Sequence, residues 1–309
     1  MTGPTSTTVI SHGADSDLAW ETRLDAIRGR LRQGGDAPGA SVERQLALLD
    51  ELTGFELGRF LLVNRGLDAQ WTHRVVTYVP GTAAAGSLEQ TVFEKLPATL
   101  ATRERFALFR AELQALLRSG AVMASVPCGL MGELLLLDYA QHQDVRLIGI
   151  DLDRQALAGA AALASERGLA DRVSLHCADA WQPGFAEQAD VVTSNGLNIY
   201  EPDDARVTAL YRAFFEMLKP GGRLVTSFLT PPPALSAESP WRTEAIDQTA
   251  LALQHLLFVR IIEAKWSAFR THAQTARQLE EAGFEDIRFI DDQASMFPTV
   301  VAQKAGRNR

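Results

Sequence analysis

Residues 121–153 read AVMASVPCGLMGELLLLDYAQHQDVRLIGIDLD. Two apolar runs, Val122–Val126 and Val145–Ile150, flank a turn with Gly129 and Gly132 and then a helically spaced segment, Met131–Gln141. Each run is too short for a helix. Each is near-continuously apolar rather than alternating, which predicts strands buried on both faces of a parallel sheet. Downstream, the runs Val173–Cys177, Asp190–Ser194 and Arg223–Phe228 alternate with helical stretches Arg154–Arg167 and Arg206–Leu218. Two last runs, Asp286–Ile290 and Met296–Gln303, are separated by Asp291-Asp292-Gln293-Ala294-Ser295. So short a connection permits only antiparallel pairing. The expected fold is a doubly wound α/β domain over 121–305 that closes with an antiparallel hairpin.

Upstream, apolar residues at helical spacing predict helices over Leu18–Arg32, from about Ser41 to Leu57, over Ser87–Leu96 and over Thr102–Arg118. Residues 18–120 therefore read as a helical extension and 1–17, small and polar, as a disordered tail. Asn64–Gly81 shows no 3.6-residue period, and it concentrates Arg65, Trp71, His73, Arg74 and Tyr78. A helical insertion is expected at about 235–270.

The chain has 309 residues, 38 acidic against 30 basic, for a formal charge of −8. That charge argues against a surface built for duplex phosphates and so against a nucleic-acid partner. Two cysteines, Cys128 and Cys177, lack metal-ligand spacing, so no metal site is expected. No apolar run reaches the length of a membrane span, and the N-terminus has no signal-peptide pattern. These readings predict a cytoplasmic protein without a membrane partner; homo-oligomerisation stays open.

Ligands of open α/β sheets bind beyond the carboxyl ends of the strands. Each strand end is therefore informative. The first gives Pro127-Cys128-Gly129-Leu130-Met131-Gly132-Glu133, either a turn that admits a ligand to the backbone or an ordinary tight turn. It lacks the first glycine of the dinucleotide fingerprint. The second gives Asp151-Leu152-Asp153: Asp151 suits the two hydroxyls of a ribose, and Asp153 a helix N-cap. The third gives Asp179-Ala180-Trp181, a carboxylate and a ring suited to adenine, or else a surface cap. The fourth gives Ser194-Asn195-Gly196-Leu197-Asn198-Ile199-Tyr200, a polar segment at the reacting end of a ligand.

In this order the pieces, with the Lys219-Pro220-Gly221-Gly222 turn, resemble the class I S-adenosylmethionine-dependent methyltransferases. The resemblance covers about residues 120–305. It implies a seven-stranded, mostly parallel Rossmann-like sheet ending in an antiparallel hairpin, and S-adenosylmethionine (SAM) as cofactor. It implies cofactor contacts at Cys128, Gly129, Gly132, Asp151, Leu152, Asp179, Ala180 and Asn195. Pro127 and Cys128 depart from the family's acidic residue and glycine, so the usual carboxylate for the methionine amino group is missing.

The acceptor is expected to be a small molecule. The extension and the insertion look like a lid over it. Asn195, Asn198, Tyr200 and His73 are the catalytic candidates, His73 as a base if the acceptor atom is oxygen. Arg65 and Arg74 would hold a carboxylate as a fork, and Trp71, Tyr78 and Tyr200 would line the pocket. Surface ion pairs and plain packing are the ordinary alternatives for each. The assembly suggests an amino acid or related carboxylate, methylated on S, N or O; a thioether such as methionine is one option. Competing readings are a protein or nucleic-acid methyltransferase, a non-catalytic SAM-binding subunit and a nucleotide-dependent oxidoreductase.

Overall fold

The computed structural model describes residues 14–265 and 268–306. The chain divides into two compact units. One comprises residues 1–65 with 252–264, the other 66–251 with 265–309. The boundary thus lies some 55 residues before the expected one near 120, and part of the expected insertion belongs to the first unit.

In the first unit, α1 (Ala14–Gly34), α2 (Val42–Thr53) and α3 (Glu56–Asn64) gather around Leu24, Leu31, Leu48, Leu49, Leu52, Leu61 and Leu62. Residues 14–17 are helical, against the expected tail; the rest of that tail lies outside the described residues. The expected second helix is two, because the chain breaks at Gly54 and restarts at Glu56. Arg30 donates to the carbonyls of Arg260 and Ile261 at 2.5 and 2.7 Å, tying α1 to a π-helical turn, Leu256–Ile261.

The second unit opens with three helices: α4 (Ala69–Val76), α5 (Leu88–Glu94) and α6 (Pro97–Ala115). The sheet follows. Its strands are β1 (Val122–Ser125), β2 (Arg146–Asp151), β3 (Val173–Cys177), β4 (Ala189–Ser194), β5 (Leu218–Ser227), β6 (Phe284–Ile290) and β7 (Thr299–Lys304). Helices α7 (Gly132–Leu135), α8 (Arg154–Glu166), α9 (Asp204–Met217), α10 (Gln248–His255) and α11 (His272–Ala282) complete the order. The strand order is β3-β2-β1-β4-β5-β7-β6. The first five strands are parallel, and β7 runs antiparallel to both β5 and β6. This is the expected seven-stranded sheet with its terminal hairpin.

Successive side chains of a strand face opposite sides, and two cores result. Val122 and Ala124 of β1 join Tyr211 and Phe214 of α9 and Leu279 of α11. Met123, between them, joins Phe109 and Leu113 of α6, Leu134 and Leu135 of α7 and Ala160 of α8. Helix α7 spans one turn where eleven residues, Met131–Gln141, were expected. Beyond it the chain is a loop that buries Leu137 and Tyr139 rather than a helical stripe.

The order reverses between β3-β2-β1 and β4-β5, which makes the carboxyl edge between β1 and β4 the switch point. Two of the four connections expected to carry chemistry leave from the strands that flank it, β1 and β4.

Candidate functional site at the carboxyl edge of the sheet

The turn after β1 is fastened to its neighbours by its own backbone. Val126 N–H donates to Thr193 O, and Cys128 N–H to Ile150 O at 2.8 Å. Gly129 N–H donates to Asp151 Oδ2 at 2.9 Å. Asp151 Oδ1 accepts from Asp153 N–H, also at 2.9 Å. The Asp151 carboxylate is therefore fixed at the end of β2 by two backbone amides. Each oxygen keeps acceptor capacity for a ligand hydroxyl. Asp153 caps α8, accepting from Gln155 N–H at 2.8 Å. The cap expected of Asp153 is thus present.

Leu152 stands beside Asp151 with 64% of its surface exposed. An isolated leucine needs no explanation; one flanking a fixed carboxylate at a strand end offers a flat ligand an apolar floor. Asp179 Oδ1 accepts from Trp181 N–H at 3.0 Å, so half of that carboxylate shapes its own turn. Trp181 faces away from the role of adenine partner: its indole N–H donates to Arg206 O at 2.8 Å, and the Arg206 guanidinium lies 4.8 Å from the ring centre. Ala180 is buried. The Cys128 thiol is also buried, which pushes its pKa up and leaves it a packing group.

Gly129 and Gly132 differ in what they accommodate. Gly129 has φ +50°, which favours glycine. Gly132 has ordinary backbone angles, but a Cβ there would approach His73 Nδ1 to 2.8 Å. His73 thus packs on the first turn. Burial lowers its pKa against the weaker pull of Glu166.

The end of β4 carries two unsatisfied acceptors. Asn195 Oδ1 and Asn198 Oδ1 are buried without a hydrogen-bond partner among the described residues. Asn198 is committed on its other atoms: Nδ2 donates to the Tyr211 hydroxyl at 2.7 Å, and its carbonyl accepts from Arg270 at 3.0 Å. That makes Asn198 a support of the turn after β4 (Leu197–Tyr200). Burial around the Tyr200 hydroxyl raises its pKa, with Arg105 pulling the other way, while the residue as a whole stays half exposed.

Several expected acceptor residues are employed elsewhere. The segment 64–81 is not a loop: Ala69–Val76 forms α4, capped by Asp68, whose side chain accepts from Trp71 N–H at 2.7 Å. Two helical turns are too few to show a period. Helix α4 packs on the first turn and on α8, for Cβ atoms at Gly129 and Gly159 would meet Ala69 and Gln70. Arg65 lies in the first unit, where it donates to Glu263 Oε2 at 3.0 Å and to Glu263 O at 2.9 Å. Tyr78 donates to Glu94 Oε1 at 2.8 Å and stacks on Phe93 at 4.5 Å. Arg74 lies over the Trp71 ring at 4.0 Å. Arg65 thus pairs with Glu263 and Tyr78 with α5, while α4 packs on the first turn, α8 and α6.

The element that reaches the end of β4 is α6, through Arg105. Its Nη1 lies 3.4 Å from where a Cβ of Gly196 would stand and 3.5 Å from Ser227 Oγ. Sequence reasoning missed it, although a signal exists. Ala101, Arg105, Phe109 and Leu113 recur every four residues, and all are buried. A charged residue inside such a stripe asks for a reason. The pair His272–Asp291 was also missed: Nε2 and Oδ1 are 2.8 Å apart, and the hydrogen bond to His272 holds the Asp291 carboxyl below its usual range.

The residues fit the cofactor implied by the strand ends: a fixed acid for ribose, an apolar floor, a second acid and an orphaned acceptor at β4. Comparison with known proteins agrees. Residues 127–222 match the family model described as a methyltransferase domain. A Bordetella parapertussis protein, whose crystal structure is described as that of a possible exported protein, is 55% identical. The match covers 96% of this chain and all of that one, with TM-score 0.90. The S-adenosylmethionine-dependent methyltransferase SibL shares the fold at 17% identity, with TM-score 0.52 over 86% of this chain and 78% of its own. Phosphoethanolamine N-methyltransferase 1 of Triticum aestivum is 26% identical over 62% of this chain. The chain spans about a third of that enzyme's length, 33%. No helix among the described residues is long and apolar enough to cross a membrane.

Proposed function

We propose that this chain, whose residues 127–222 match a methyltransferase domain, is a class I S-adenosylmethionine-dependent methyltransferase that methylates a small metabolite, an amino acid or a related acid. The observation that carries the reading is the Asp151 carboxylate, fixed by Gly129 and Asp153 N–H beside exposed Leu152. SAM supplies an electrophilic methyl on a sulfonium, displaced in line by the acceptor's lone pair.

What the protein adds is position and exclusion of water. Asp151 accepts the ribose hydroxyls. Leu152 floors the nucleoside, and the free oxygen of Asp179 is an acceptor for the adenine amine. Asn195 Oδ1, buried and unsatisfied, is the acceptor nearest the reacting end. The Tyr200 phenol, with its pKa raised, stays protonated at neutral pH and offers the acceptor a hydrogen bond rather than a base. His73, seated on Gly132, is a packing residue in this account. An amine arriving unprotonated, or a thioether, needs no base.

The net charge of −8 and the match to a phosphoethanolamine N-methyltransferase support a small-molecule acceptor over nucleic acid. Two free thiols, Cys128 and Cys177, support a reducing, cytoplasmic setting. The test is incubation with methyl-labelled SAM and a panel of amino acids, amino-alcohol phosphates and carboxylates, read by mass spectrometry. A labelled product whose formation requires Asp151 supports the reading; label appearing only on added protein or nucleic acid overturns it.

A further inference from the structure

Arg105 carries a full charge into the protein interior and makes no ion pair there among the described residues, although it lies in the field of the Asp292 carboxylate. Its side chain, on α6, is 5% exposed. Among the described residues it forms no ion pair, and its Nε has no hydrogen-bond partner. Its one hydrogen bond, from Nη1 to Ser227 Oγ, is long at 3.5 Å. The Phe297 ring lies 4.9 Å from Cζ. Asp292, buried and in its field, is already engaged, since its oxygens accept from the N–H groups of Ala294 and Phe297.

Other arginines of the same helix reach backbone carbonyls, although Arg110 Nε too is buried without a partner among the described residues. Arg103 donates to Phe93 O, and Arg110 to Leu136 O. Arg105 is different in place as well as in pairing. Ser227 ends β5, Gly196 follows β4, and Phe297 belongs to the β6–β7 connection. All three stand at the carboxyl edge, across the switch point from Asp151 and Asp179. Gly196, with φ +91° and no Cβ, leaves the guanidinium its space. A buried charge without a partner is costly unless something outside the chain completes it. A planar five-donor fork suits a carboxylate or a phosphate.

We infer that Arg105 anchors an anionic group, carboxylate or phosphate, of the methyl acceptor, and so selects acceptors that carry one. This rests on the methyltransferase reading above. It replaces Arg65, whose Nε and Nη2 donate to Glu263 within the first unit, as the acceptor's fork.

The experiment uses the full chain saturated with S-adenosylhomocysteine. Inorganic phosphate and acetate are titrated separately by calorimetry into wild type, R105Q and R105K. Wild type should bind one probe: phosphate marks a phosphorylated acceptor, acetate a carboxylate. R105Q should weaken that binding about 10- to 150-fold, the range of a lost charged hydrogen bond. R105K, keeping charge without the fork, should fall between; if R105Q fails to fold, R105K decides alone. The affinity for S-adenosylhomocysteine should stay within about 2-fold throughout, by the same reasoning. Unaltered probe binding in the variants, or no probe binding in wild type, overturns the inference. So does a loss of S-adenosylhomocysteine affinity in R105Q, which would make Arg105 the holder of the cofactor's carboxylate. If wild type binds no S-adenosylhomocysteine, the methyltransferase reading itself falls.

Discussion

Removing the Asp151 carboxylate should cost cofactor affinity far more than stability. The structure separates the two. Asp151 makes two internal hydrogen bonds, from Gly129 N–H and Asp153 N–H, both 2.9 Å. Both donors lie in partly exposed turns at the sheet edge, so water can replace the carboxylate, and the loss in folding should be at most about 1–2 kcal/mol. The ribose hydroxyls instead lose charge-assisted hydrogen bonds inside a bound complex, about 1.5–3 kcal/mol in all. That is roughly 10- to 150-fold in Kd. Asp151→Ala should show this in titration with S-adenosylhomocysteine, with a cooperative thermal transition retained. Asp151→Asn, isosteric but uncharged, should fall between. A folded Asp151→Ala that binds within about 2-fold of wild type would refute the assignment.

Other expectations follow from particular contacts. Burial depresses the Arg105 guanidinium to about 10 from 12.5, a difference worth about 3 kcal/mol at most. A base with a lowered folded pKa destabilises the fold fully below that pKa and is relieved only as pH rises through it. Arg105→Met should therefore raise the Tm of the ligand-free protein at pH 7, less than the full amount because the Phe297 contact is lost; a lower Tm would contradict this. Gly132→Ala should cost about 1–3 kcal/mol by driving a Cβ to 2.8 Å from His73 Nδ1. His73→Ala should recover much of it, and strictly additive losses in denaturant unfolding would count against that packing. Tyr78→Phe should cost about 1 kcal/mol by breaking the bond to Glu94. It should leave the KM for the acceptor unchanged, and a raised KM would restore Tyr78 to the pocket. Arg65→Ala should leave cofactor affinity alone and cost up to about 1 kcal/mol, as befits a half-exposed pair with Glu263; a change in cofactor affinity would contradict its place in the first unit.

The sheet was legible because burial on both faces forces continuous apolar runs. The place of Asp151 was legible because it ends the second strand, at the carboxyl edge of the sheet. Helix α4 was not legible, being two turns long. Its short apolar face is interrupted by Arg74, so composition stood out where periodicity could not. The aromatic and basic residues of 65–78 therefore looked like a pocket, while their partners, Glu94 and Glu263, lie 16 and 198 positions away. Arg105 was hidden by the reverse error. A charge between Glu104 and Phe106 reads as helix surface until the four-residue stripe through Ala101, Phe109 and Leu113 is followed.

In the proposed reaction this chain moves a methyl group from SAM to a small molecule across the carboxyl edge of its sheet. It is tested most directly by adding methyl-labelled SAM and the protein to a cell extract and separating the label by ultrafiltration. The account predicts new label in a low-mass product, present with wild type and abolished with Asp151→Ala. Label retained on protein or nucleic acid, or a low-mass product formed equally by the variant, would contradict it.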